Sequence, residues 1–362
     1  MARSPAGRLA LNLPAQVYGA AARWRRAWYR RHPEARRRLR RPVVSVGNLR
    51  VGGSGKTPAV AHLARLLLEM GERPAILSRG YARPNRADGV VVVSDGRNVR
   101  ADVLAAGDEP LMLARALAGV AVLVSPDRYL SGRIAETRLG CTVHLLDDGF
   151  QHFELERDID LLLVSQEDLD NPRMLPAGHL REPIDVAGTA DAAIVSAADL
   201  EETWRVARQL GIAEAFQAVR TAEPPTLVEP GGRTVAPAPG TRVLGVAGIA
   251  CPERFFASLR EAGWVVAAEL AFADHHRYSA SDVERIVGAA RASRSVLVLT
   301  TEKDLMRLLP HRPFPIPLAA VPLRLSIEPA GPFRRWLAGR LDESRRRAAA
   351  ESSGPDAGEA AR

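Results

Sequence analysis

At 362 residues the chain is too long for one small core and fits about two domains of ordinary size. Its 46% hydrophobic and 25% charged residues suit a soluble globular protein, and no run of eighteen apolar residues is present to span a bilayer. The net charge of +8 sits on one segment: residues 1–41 carry twelve arginines against one acidic residue, Glu34, a local +11, while the other 38 basic and 41 acidic residues leave the body at −3.

That segment is the first predicted element. Leu13, Val17, Ala21, Trp24 and Trp28 recur at three- or four-residue spacing and share one helical face, with Arg23, Arg25, Arg26, Arg30 and Arg31 around them. Aromatic rings beside clustered guanidinium groups suit an interfacial helix, each basic residue contributing about 1 kcal/mol at an anionic surface. The competing reading is a helix docked on the core and followed by a solvated arginine run. Nucleic acid is not expected as a partner, because the body is acidic. The N-terminal stretch lacks a signal-peptide pattern. Cys141 and Cys251 lie far apart in no metal spacing, so a reduced, cytosolic protein is expected.

From residue 42 short apolar runs alternate with helical patterns, as in an α/β doubly wound domain. Strands are predicted at Val43–Val46, Ala75–Leu77, Val90–Val93, Val120–Val124, Thr142–Leu146, Ile159–Val164 and Ala192–Val195. Helices are predicted at Lys56–Glu69, Glu109–Leu117, Asp127–Thr137 and Glu201–Leu210. The Pro/Gly-rich stretch 223–240 reads as a hairpin or linker. A second α/β unit then covers 241–343 and closes with a helix near Pro332–Leu341. The polar, Ala/Gly-rich tail 344–362 is expected to be disordered.

Four motifs carry chemistry. "GGSGKTP" follows a predicted strand and opens a predicted helix, the context of a phosphate loop. Gly52, Gly53, Ser54 and Gly55 would turn backbone N–H groups toward phosphate, Lys56 would reach the β- and γ-phosphates and Thr57 would ligate Mg²⁺. The strict pattern wants a glycine where Arg50 stands. The chain has only two lysines among 50 basic residues, Lys56 and Lys303, and a compact ammonium enters a phosphate cradle that a guanidinium cannot. "TVHLLDDGFQH" ends an apolar strand in Asp147 and Asp148, the placement of a metal-holding carboxylate or of a plain Asp-Asp-Gly turn. "AAGDEPLML" sets Asp108 and Glu109 at a helix start, where Asp108 is either a cap or a base for a hydroxyl. Arg128 and Arg181 are candidates to grip a phosphoryl group or an anionic substrate. In "FADHHRYS", Asp274, His275 and His276 offer a proton shuttle or a carboxylate orienter.

"SVGNLRVGGSGKTP", "LSRGYAR", "GDEP", "LLDDGFQH", "LPAGHLREP", "FADHHRYS" and "TTEKD" occur in this order across about residues 43–304. Together they closely resemble the tetraacyldisaccharide 4′-kinases of lipid A biosynthesis. The resemblance implies two α/β/α sandwich domains joined by a two-stranded linker, the first of phosphate-loop type, and a basic N-terminal helix over residues 9–31 at the membrane surface. It implies transfer of the ATP γ-phosphate to the 4′-hydroxyl of an acylated glucosamine disaccharide 1-phosphate, with Mg²⁺, at the cytoplasmic face of the bacterial inner membrane. By the same resemblance Lys56, Asp108, His275, Arg128 and Arg181 are the expected catalytic residues. Residues Gly52 through Thr57 hold ATP, and Asp147, Asp148 and Glu109 join Thr57 near the metal. His276 stays open as the alternative histidine, and Lys303 has no assigned role. Arg50 is no departure, since that family's loop lacks the first glycine. The alternative function is a membrane-peripheral phosphate-loop ATPase or GTPase switch; no guanine-reading "NKxD" stretch favours a GTPase.

Overall fold

The structure, a computed structural model, describes residues 11–52, 55–80, 89–229, 233–238 and 240–352. In chain order they form α1 (Asn12–Arg31), β1 (Val43–Asn48), α2 (Lys56–Glu69), β2 (Pro74–Ser78), β3 (Val91–Asp95), α3 (Val103–Ala106), α4 (Asp108–Ala116), β4 (Ala121–Val124) and α5 (Arg128–Leu139). Next come β5 (Val143–Asp147), β6 (Ile159–Ser165), α6 (Gln166–Asp170), β7 (Ala192–Ser196), α7 (Leu200–Gln209), β8 (Ala215–Ala222) and β9 (Thr226–Leu227). The remainder is β10 (Arg242–Ala247), α8 (Pro252–Glu261), β11 (Val265–Ala271), α9 (Ala280–Ala292), β12 (Leu297–Thr301), α10 (Glu302–Leu308), β13 (Leu318–Val321), β14 (Leu323–Glu328) and α11 (Ala330–Ser352).

Two sheets result. The larger has the order β14-β8-β7-β6-β1-β5-β2-β4-β3, parallel except at its two edge strands, and the smaller runs β11-β10-β12-β13-β9. Strands β1, β2, β4 and β5 are buried at every residue, as apolar-rich strands are when helices cover both faces of a parallel sheet. β1 lies between β5 and β6 in parallel register. The C-terminal ends of these strands therefore open on the same edge, where α/β sheets bind ligands. Gly47 lets the chain after β5 lie directly on β1, since a Cβ there would stand 2.5 Å from the Cβ of Phe150.

The C-terminal part departs from the sequence expectation. β14 and α11 do not finish the second unit but return to the larger sheet, β14 pairing antiparallel with β8. The run "PLAAVPLRLSI" splits at Pro322, which has no N–H for either ladder; β13 stays with β12, and β14 crosses over. The Glu223 N–H donates to the Pro322 carbonyl at 2.9 Å, so the two crossings run side by side. The 223–240 stretch contributes β9 to the smaller sheet, with Thr226 bridged to Thr234. Residues 230–232 and 239 lie outside the described set.

The tail expected to be disordered from residue 344 is helical to Ser352. Its composition is polar, but Ala, Arg and Glu are strong helix formers. Ser344 is buried, and ion pairs join Arg345 to Glu72 and Arg38 to Glu351. Residues 353–362 lie outside the described residues.

Helix α1 is present, but its docking face is not the apolar stripe. Ala15 and Gly19 are buried, while Leu13, Val17 and Trp24 remain 70%, 64% and 68% exposed. Small residues allow close approach to the body, and the large apolar side chains stay outside.

Phe333, Leu337 and Leu341 on α11 are fully buried in one cluster with Leu325, Ile327 and Phe216, and the Phe216 and Phe333 rings meet edge to face at 4.9 Å. Phe333→Ala is expected to cost about 3–5 kcal/mol in denaturant unfolding. A loss below about 1 kcal/mol would contradict this role for the returning helix.

Candidate active site

β1 ends in Asn48, which is 1% exposed, and the chain turns through Gly52 and Gly55 into α2. Gly55 sits at φ +88°, a left-handed conformation that suits glycine, directly before Lys56 at the helix start. The first-turn N–H groups of α2 and its dipole favour an anion at that end. Gly53 and Ser54, both expected in the loop, lie outside the described residues. The Lys56 ammonium donates to Asn48 Oδ1 at 3.0 Å and stands 3.5 Å from Asp148; Thr57 is buried. Arg50 pairs with Glu167 and Asp168 and bridges by its backbone to Leu180, so it anchors the loop's approach rather than entering it.

β5 delivers Asp147 and Asp148 to the same edge. Asp148 adopts φ +56°, an uncommon conformation for a residue with a Cβ and one frequent at functional sites. This turn gives the two carboxylates different surroundings. Burial, with Glu109 and Asp148 nearby, pushes Asp147 well above the usual carboxylate range, against the opposing charges of Lys56 and Arg128. For Asp148, burial is outweighed by the Arg181 hydrogen bonds and the Lys56 charge, which hold it down at about 2. Arg181 grips Asp148 at 2.7 and 2.6 Å and donates to Asn48 Oδ1 at 2.6 Å. Arg128, the first residue of α5, is 4% exposed. It donates to the Asp147 backbone carbonyl at 3.4 Å and lies 3.5 Å from His152 Nδ1. Burial, with Arg128 and Arg157 next to it, drops His152 to about 3, so that ring is neutral and can accept.

The second sheet closes on the opening of α4. His275 Nδ1 lies 3.2 Å from Asp108 Oδ2, and His275, like Asp148, is at φ +56°. Arg307 approaches the same carboxylate oxygen at 3.5 Å, and Lys303 pairs with Glu109. Burial opposes the ionisation of Asp108, yet His275, Lys303 and Arg307 together hold it below the usual carboxylate range. The Asp108 hydrogen bond raises His275 against its own partial burial. His276 turns the other way, bonding Asp282 at 3.0 Å beside Phe272. Of the two adjacent histidines, only His275 is in contact with Asp108.

The fold thus brings Lys56, Asp147, Asp148, Arg181 and Arg128 to one strand edge and sets the Asp108–His275 pair beside it. Asn48 and Arg307, which hold these groups, were not singled out from sequence. A signal for Asn48 existed, as a lone amide ending an otherwise apolar strand; Arg307 is one arginine among 48. A glycine turn with lysine at a helix start, acidic residues at the next strand's end and a carboxylate–histidine pair define a phosphate-loop phosphotransferase.

The family described as tetraacyldisaccharide-1-P 4′-kinase matches residues 8–342. A tetraacyldisaccharide 4′-kinase of Koribacter versatilis is 39% identical over 331 residues, 87% of this chain and 94% of the relative. One from Geobacter metallireducens is 41% identical over 278 residues, covering 76% and 80%. The crystal structure of LpxK from Aquifex aeolicus in complex with ATP superposes with a TM-score of 0.75 at 29% identity, covering 92% of this chain and 99% of that one. The chain belongs to the tetraacyldisaccharide 4′-kinase family and is a kinase of lipid A biosynthesis.

The Asp108–His275 pair makes a pH prediction. His275 is raised above the ordinary histidine value of 6.5, and Asp108 is held below the ordinary carboxylate value of 3.8. The pair's stabilisation is therefore fully present between those two values, is lost as pH rises through the folded value of His275, and is lost as pH falls through that of Asp108. In Asp108→Asn the His275 ring should titrate at lower pH than in the wild type, read from its imidazole C–H resonance. An unchanged titration would mean that the two groups are not coupled.

Proposed function

We propose that this edge carries out the transfer of the ATP γ-phosphate to the 4′-hydroxyl of tetraacyldisaccharide 1-phosphate, with the following division of labour. Lys56 and the start of α2 bind the phosphates, together with Gly52, Gly53, Ser54 and Gly55 of the loop. Asp108, held ionised and oriented by His275, accepts the proton of the sugar hydroxyl, which is a poor nucleophile until that proton leaves. Arg181, through Asp148, and Arg128, behind Asp147, keep positive charge around the transferring group. The observation that carries this reading is the Asp108–His275 contact, which joins the second sheet to the rim of the phosphate site.

The acidic residues fit a magnesium ion. Asp147 is a carboxylate raised in pKa by burial first and then by its acidic neighbours Glu109 and Asp148, and a divalent cation would offset both. Mg²⁺ takes one or two carboxylates and completes its shell with phosphate and water, so Thr57 and Asp147 are sufficient protein ligands. Asp148 and Glu109 already face Arg181 and Lys303 and would join by exchanging partners. When bound, the ion neutralises charge on the phosphoryl oxygens.

The acylated substrate lies in a bilayer, and α1 suits that surface. Leu13, Val17 and Trp24 project outward, with Arg30 and Arg31 exposed in the last turn. Three of the arginines that the sequence assigned to headgroups instead face the body, Arg23 to Asp185, Arg25 to Glu154 and Arg26 to Glu182. The apolar stripe therefore carries more of the proposed binding than charge does. Among the described residues no helix is long and apolar enough to cross a membrane. A peripheral position on the cytoplasmic face of the inner membrane follows from where ATP and the lipid meet.

With γ-labelled ATP and detergent-dispersed tetraacyldisaccharide 1-phosphate, label is expected in the lipid. Label recovered only as free phosphate would point to the ATPase alternative. Lys56→Ala should abolish transfer while leaving the circular dichroism spectrum unchanged; near wild-type turnover would refute the loop assignment. The double variant L13S/W24S should reduce sedimentation with anionic vesicles several-fold, and unchanged sedimentation would remove α1 as the contact.

A further inference from the structure

Arg26 differs from its neighbours on α1. Arg23 and Arg25 make ion pairs with side chains about half exposed, whereas the Arg26 and Glu182 side chains are 15% and 4% exposed. Arg26 forks onto both Glu182 oxygens at 2.9 Å and packs over Phe150 and Phe153 at 4.7 and 4.9 Å from the ring centres. A planar guanidinium in that position fixes both distance and angle.

Glu182 does not end the chain of contacts. It also accepts from Gln151 Nε2 at 3.1 Å, and the same nitrogen donates to the Asn48 backbone carbonyl at 3.0 Å. The Asn48 side-chain oxygen receives both the Lys56 ammonium and Arg181. Arg181 is the residue directly before Glu182, and its backbone N–H bonds Leu49 at 2.6 Å. The two consecutive side chains therefore face different tasks. Glu182 takes the helix, and Arg181 takes the Asp148 carboxylate.

We propose that Arg26, Glu182 and Gln151 are positioning residues for phosphoryl transfer, tying the N-terminal helix to Asn48 and so fixing Lys56 and Arg181 at the phosphate loop. The proposal rests on the assignment of Lys56 and Arg181 to the triphosphate site. It makes the helix part of the site's framework as well as a surface anchor. Errors of about 1 Å in such groups cost on the order of a hundredfold in rate, so slack in this linkage is read in turnover.

The test is steady-state kinetics on the full chain with detergent-dispersed substrate, kcat taken per folded molecule, alongside vesicle sedimentation. R26M should lose at least about tenfold more kcat than R23M, which removes the same charge from the same helix, while the two sediment alike. Q151M, which deletes one neutral amide, should lower kcat about tenfold with the lipid KM within about twofold. The double variant R26M/E182Q should be no slower than the slower single variant, because both act on one linkage. Multiplicative losses would overturn the proposal, as would R26M losses equal to those of R23M or confined to the lipid KM. Should R26M fail to fold, Q151M decides alone: kcat within twofold of wild type overturns the linkage. Activity surviving in Lys56→Ala would instead refute the loop assignment, a separate failure.

Discussion

Two adjacent carboxylates at the end of a buried strand impose the central constraint on this molecule. Asp147 is 5% exposed, so its charge must be met by protein groups or by a cation rather than by water. The half-exposed Asp148 directly after it adds a second negative charge that Arg181 and Lys56 meet. The surrounding architecture supplies those groups from separate elements. Lys56 comes from the start of α2, Arg128 from the start of α5 and Arg181 from the segment that bridges to Arg50. The left-handed turn at Asp148 separates the two acids, leaving Asp148 held ionised by Arg181 and Asp147 buried with its pKa raised. In the proposed reaction, a phosphate group arriving here would meet positive charge already held in place, which lowers the reorganisation the step requires.

The second sheet completes that edge from the other side. His275, Lys303 and Arg307 all reach the first turn of α4, where Asp108 and Glu109 begin the helix. Asp304 beneath them is fully buried and bonds the Gly248 N–H, the Tyr278 hydroxyl and Thr301. The loop bearing His275 is thereby tied to α10. The paired crossings at Glu223 and Pro322 connect the sheets, and β14 and α11 return to the larger sheet after β10 to β13 have formed most of the smaller one. In the proposed reaction, groups from both sheets around Asp108 would help keep water from the transferring phosphoryl group, which favours transfer over hydrolysis.

Much of this was legible because it is written in local pattern. The strands at Val43, Ala75, Thr142, Ile159 and Ala192 are short, largely apolar runs of the kind a doubly covered sheet accommodates, and α2 has the bounds its periodicity predicts. The rest was hidden where local pattern is ambiguous. "PLAAVPLRLSI" reads as one region, yet a proline divides it between two sheets. The Ala/Arg tail reads as polar, yet its helix is held by pairs with Glu72 and Asp191 more than a hundred residues away. The α1 stripe predicts an amphipathic helix, but only packing shows that Ala15 and Gly19 form the docked side.

From sequence, the lysine at a glycine turn pointed to a phosphate site, while the paired aspartates, the acidic helix start and the histidine pair each kept a structural alternative. It was the seven motifs in order, by their resemblance to one kinase family, that pointed to phosphoryl transfer. Tertiary structure decided which groups meet. It chose His275 over His276, gave Arg181 to Asp148, and placed Arg26 against Glu182 across 156 positions. The physical reason is that spacing encodes helix and strand periodicity over a few residues, whereas ion pairs between remote segments depend on how whole elements pack. In a chain with 48 arginines, only burial distinguishes the few that hold the site.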